Sequence, residues 1–107
     1  MFLGAANKDS QLVTGPVDGF ASPITVIKSE LDNIHEITGT GTIFPNSNGD
    51  PELHLHVACG RDTQTTTGCA RLGVKVWHVM EVILYELVET RAQRKIEPGT
   101  QFELLQP

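Results

Sequence analysis

The sequence predicts an α+β domain dominated by a mostly antiparallel β-sheet, with little helix. Three observations carry that expectation. Leu53, Leu55, Val57 and Cys59 alternate with His54, His56, Ala58 and Gly60, the period of two that marks a strand with one apolar face. Arg61–Gln64 is a polar breaker, and the run behind it, Thr65–Gly73, starts on β-branched threonines that favour a strand. Val74–Glu89 carries apolar residues on both parities, as in a central strand buried on two faces.

Taken in order, Phe2–Ala6 reads as a strand, Lys8–Ser10 as a polar turn and Gln11–Thr14 as a short strand. Gly15-Pro16 and Asp18-Gly19 punctuate the chain, and Phe20–Val26, with Pro23, reads as a loop or sheet edge. A short helical turn is expected within Ile24–Ile34, ending near Asn33. His35–Phe44 alternates and is rich in Thr and Ile, so a strand is expected, with Gly39 and Gly41 on one parity where another group approaches closely. His35 has no ligand-spaced neighbour and reads as a surface histidine. Pro45–Glu52, with Asn48-Gly49 at its tip, is a hairpin loop that makes the flanking strands antiparallel neighbours. Helix is the alternative for Val74–Glu89, because Met, Glu and Leu are good helix formers. Arg91–Lys95 is expected to be a brief helix or an irregular crossing. Pro98-Gly99 makes a turn, and Gln101–Leu105 a last strand.

At 107 residues the chain is expected to form one domain with a small core. The formal charge of −5 argues against direct nucleic-acid binding, which depends on neutralising phosphates. Arg91, Arg94 and Lys95 are interleaved with Glu89 and Glu97 and read as a solvated segment. No apolar run is long enough for a membrane span. Met1–Ala6 is too short, and lacks the basic flank, for a secretory signal. Two cysteines without framework spacing suit a reducing cytoplasm.

The chemistry gathers around the hairpin. If its turn centres between Asp62 and Thr63, His56 faces Cys69 across the strands, with Cβ atoms about 4.5–5.5 Å apart. His54 stands two residues away on the same face. Two imidazoles and a thiolate suit zinc or another divalent metal, and three protein ligands leave one coordination position open. The competing reading is two solvated or interface histidines and a buried small thiol. Cys59 has the opposite parity, so a core position is expected, and a Cys59–Cys69 disulfide is not. His78 and Glu81 interrupt the apolar run. A carboxylate there needs a partner, so Glu81, with His78, is a candidate to orient a ligand or relay a proton; a salt bridge to a neighbouring strand or subunit is the plainer alternative.

The stretch HLHVACGR…TTTGCARLGVKVWHVMEVILYEL resembles the core of the PPC (PCC) domain, also known as domain of unknown function 296, found in bacteria, archaea and plant AT-hook nuclear proteins. That family carries an H-x-H strand, a turn, a Gly-Gly-His-like segment and a strand with an apolar-Glu-apolar run. His54 and His56 fall on the first, Gly68 on the second glycine with Thr67 before it, and Glu81 on the glutamate. Cys69 stands where the family usually has its third histidine. The resemblance implies an α+β fold and a trimer. It also implies that this chain lacks the family's first strand and main helix, leaving sheet surface for another subunit to cover. The AT-hook of the plant relatives, with its Arg-Gly-Arg-Pro core, is absent.

Three functions follow as expectations. The first is a homotrimeric assembly or binding module for a protein or small-molecule partner, with a metal site near a subunit boundary. The second is a metal-dependent small-molecule enzyme or sensor. The third, direct DNA binding, is opposed by the acidic balance and the missing hook. No nucleophile–base pair stands outside the His/Cys cluster, so catalysis stays open, with the module the preferred expectation.

Overall fold

The computed structural model describes residues 1–107. Its strands are β1 (Phe2–Ala6), β2 (Gln11–Pro16), β3 (Val26–Glu30), β4 (His35–Pro45), β5 (Pro51–Arg61), β6 (Gln64–Cys69), β7 (Val76–Val82), β8 (Gln93–Ile96) and β9 (Glu103–Gln106). The first seven form one antiparallel sheet in the order β3-β2-β6-β5-β4-β1-β7, and β8 and β9 form a separate hairpin. The helical part of the expected class is a single 3-10 turn, Ala70–Leu72. No helix is long and apolar enough to cross a membrane.

The long central pair is set by its loops. In the β4–β5 loop, the Asn46 side-chain oxygen accepts from the backbone N–H groups of Asn48 (2.9 Å) and Asp50 (3.0 Å), an Asx-type clasp that fixes the register from Pro45↔Pro51 onward. The β5–β6 turn is Asp62-Thr63, with Asp62 at φ 53°, a left-handed conformation that Asp tolerates. The expected facing of His56 and Cys69 follows.

One face of the sheet holds the core: Ala6, Leu12, Leu31, Ile37, Val57 and Cys59. Burial pushes the Cys59 thiol up from its usual value, consistent with a core residue rather than a reactive one. Gly39 answers to a close approach on this face, because the ring of Phe2 and the carbonyl of His56 occupy the space a Cβ would take, at 2.6 and 2.7 Å. No disulfide forms.

Four local expectations are corrected. Val74–Glu89 is not a central strand. Its strand portion, β7, is an edge strand bonded only to β1, with every residue but Met80 exposed. The reason is topological: β5 takes the other side of β4, so the run can add only outside β1, and residues 77–79 bulge where Gly4 pairs Met80 but Ala6 pairs Val76. The Ile24–Ile34 segment pairs with β2 as β3 instead of forming a helical turn. Arg91–Lys95 contributes to β8, drawn against the β4–β5 loop by a bond from Gln93 Nε2 to the Asn46 carbonyl (2.9 Å). His35 is buried and donates from Nδ1 to the Asn33 carbonyl at 2.9 Å, with Asp32 4.0 Å from its Nε2.

The core is small for the chain. Only 14 of 107 residues are buried, and the molecule is 19 Å across its thinnest dimension, so large apolar side chains stay open. Leu53, Ile43 and Val82 are more than half exposed, and with Leu55 and Met80 they line a groove of about 970 Å³.

Candidate metal centre

The face opposite the core is where the period of two places His54, His56 and, across β6, Cys69. Thr42 and Thr40 of β4 lie beside His54 and His56, and Val13 of β2 lies beyond Cys69. The ligand atoms of His54, His56 and Cys69 all lie within 4.8 Å of one another. The two Nε2 atoms are 3.2 Å apart, and the rings meet edge to face at 85°. Two imidazoles on one tetrahedral zinc, with Zn–N near 2.0–2.1 Å, hold their nitrogens roughly 3.3 Å apart, so the imidazole pair is already at bonding separation. Sulfur binds metal as thiolate, and the Arg71 Nε–H donates to Cys69 Sγ at 3.3 Å from the 3-10 turn just after β6. The donor set therefore fits a soft or borderline divalent ion.

Electrostatics favour the neutral, metal-ready imidazole. Burial first, then His56, Arg94 and Arg71, hold His54 below its usual value. Arg94 comes from β8, far along the chain, and its Nη2 donates to Thr42 Oγ1 at 3.0 Å.

Of the residues singled out from sequence, the fold unites His54, His56 and Cys69. It does not bring Glu81 and His78 to them. Both lie on β7, which β1 and β4 separate from β5, about 14 Å at the usual strand spacing. Both are exposed, and His78 stacks edge to face on Trp77 at 4.2 Å. Within the chain neither orients a ligand of the triad. Arg94 and Arg71 were not legible as site residues. Arg94 sits in a mixed-charge segment and Arg71 among small and apolar residues, so neither carries a local signal, and only the crossing of β8 over β4 brings Arg94 near.

The chain matches the family model of the Plants and Prokaryotes Conserved (PCC) domain over residues 3–88. It belongs to the PCC domain family. No curated protein matches the sequence. Among solved structures, the chain is similar to a metal-containing protein of Archaeoglobus fulgidus, at 22% identity and a TM-score of 0.70, over 99% of this chain and 73% of that one. It is also similar to a candidate DNA-binding protein of Ralstonia eutropha JMP134, at 22% identity and a TM-score of 0.64, over 99% of this chain and 71% of that one. At that identity both likenesses establish the fold alone.

Proposed function

We propose that this PCC domain is a self-assembling module that holds a divalent metal, zinc by the softness of its donors, on His54, His56 and Cys69. The observation that carries the reading is the convergence of two imidazole nitrogens and one sulfur within 4.8 Å on a rigid β-ribbon. The metal-containing character of the Archaeoglobus protein supports it. When bound, the metal supplies a Lewis-acidic position open to a small ligand. His54 and His56 are fixed by strand pairing, and Arg71 steadies the sulfur. Free Cys59 and Cys69 fit a reducing compartment, the cytoplasm.

Self-assembly is supported by the apolar groove and the open outer edge of strand β7, surface that a monomer leaves wet. The family resemblance makes three copies the expected number and residues 1–107 one unit of an α+β fold. A metal-dependent enzyme or sensor is the second reading, favoured by the open coordination position. Direct DNA binding is opposed by the charge of −5.

Metal analysis of protein purified without added zinc tests the centre. Stoichiometric metal that disappears in the His54→Ala, His56→Ala variant supports it. A folded protein that takes up no metal under any loading condition removes it.

A further inference from the structure

Arg94 is the one residue with a buried side-chain polar atom left without a partner. It is 5% exposed, and its Nε is buried without an acceptor. The guanidinium makes one hydrogen bond, to the neutral hydroxyl of Thr42. No carboxylate pairs with it; the one contact within 4.0 Å between a basic side chain and a carboxylate is His35–Asp32. Glu52 shares the face two residues before His54, yet it is exposed and forms no bond to Arg94. An arginine withdrawn from water without a counter-charge is costly to keep, and a guanidinium matches the two oxygens of a carboxylate or phosphate in geometry.

The position of this charge is specific. Thr42 pairs with His54 across β4 and β5, so Arg94 is anchored directly beside a ligand of the candidate centre. Arg71 borders the same centre from the Cys69 side. Two cations flank a site that would itself hold a divalent cation, and one thiolate does not balance them. Arg94 also lies beyond the residues matched by the family model, on a segment that sequence patterning leaves as solvated.

We infer that the metal centre and Arg94 together form a binding site for a small oxyanion, a carboxylate or a phosphate, with one oxygen on the metal and another on the Arg94 guanidinium. The inference rests on the metal reading for half of its contacts. Arg94 acts here as a binding residue, and no reaction is implied.

The test is calorimetric titration of inorganic phosphate and of acetate into the metal-free and cobalt(II)-loaded protein, with Arg94→Met and Arg94→Lys beside the wild type. The cobalt spectrum reports metal uptake separately. The expected result is oxyanion binding to the cobalt-loaded wild type, weakened roughly 10- to 100-fold in Arg94→Met, with part of the loss restored in Arg94→Lys. Which probe binds tighter identifies carboxylate or phosphate. Failure to take up cobalt overturns the metal reading, and phosphate binding to the metal-free protein then decides the Arg94 pocket. Equal affinity in wild type and Arg94→Met, or no binding of either anion to any form, overturns the inference. So does a fall in light-scattering mass in Arg94→Met with anion binding unchanged, which assigns Arg94 to a subunit contact.

Discussion

Arg71 reaches back across two residues to place its Nε 3.3 Å from the sulfur of Cys69. The contact exists because β6 stops at Cys69 and the chain coils into a 3-10 turn. Continuation of the strand, which Thr65–Gly73 predicts, would carry Arg71 further along it instead of back to the sulfur.

Arg71 itself is exposed, so its removal is expected to spare the fold and tax the metal. Loss of a group that supports a metal ligand typically costs 10–100-fold in affinity. Arg71→Met should weaken zinc binding by roughly that factor in a chelator competition, with the thermal midpoint of the metal-free protein unchanged. Unaltered affinity would show that the contact is incidental.

Cys69 is the donor at which this chain departs from the family pattern. Cys69→Ser should abolish stoichiometric cobalt binding. Cys69→His should keep it while removing the sulfur-to-cobalt charge-transfer band. A band that survives in Cys69→His would place the sulfur ligand elsewhere.

The lowered value of His54 fixes the sign of a pH effect. The metal-free folded chain keeps this imidazole neutral at a pH where the unfolded chain, near 6.5, already takes up a proton. The unfolded state then binds more protons, so stability falls as the pH drops from 6.5 through the folded value, and this group adds no slope well above 6.5. Denaturation of wild type and His54→Gln across that range should show a shallower acid loss in the variant. The His54 imidazole resonances of Arg94→Met should titrate closer to the usual value.

Cys59 offers a contrast, since it is fully enclosed by Ile37, Val57 and their neighbours. Cys59→Ser puts an unpartnered hydroxyl there and should cost about 1–3 kcal/mol in denaturant unfolding, while leaving metal uptake intact. A loss of metal in this variant would contradict the assignment of the two cysteines to opposite faces.

Leu53 probes assembly. It is 57% exposed in the single chain, so Leu53→Glu in a monomer should change stability by less than about 0.5 kcal/mol. If the groove is covered by another copy, the variant's light-scattering mass should drop toward that of one chain. A wild-type mass equal to one chain at micromolar concentration would end the assembly reading.

The alternation of His54 to Cys59 and the turn residues Asp62-Thr63 made the triad legible, because a period of two and a two-residue loop together fix which side chains share a face. The strands flanking it were legible for the same reason. What failed was context. Val76–Val82 has the composition of a central strand, but composition cannot say how many neighbours a strand will find inside one chain. Val26–Glu30 lacks alternation of its own and takes its form from β2. Arg94 is positioned by a bond from Gln93 to the Asn46 loop, 47 residues away, a relation that no local pattern records.

The facing of the two thiols has a last consequence. Cys59 looks into the core and Cys69 away from it, so no second sulfur in the same chain stands ready to resolve a sulfenic acid formed at Cys69. Oxidative damage to the centre would need a thiol from outside to repair it, and bound metal would act as the shield that keeps the sulfur reduced.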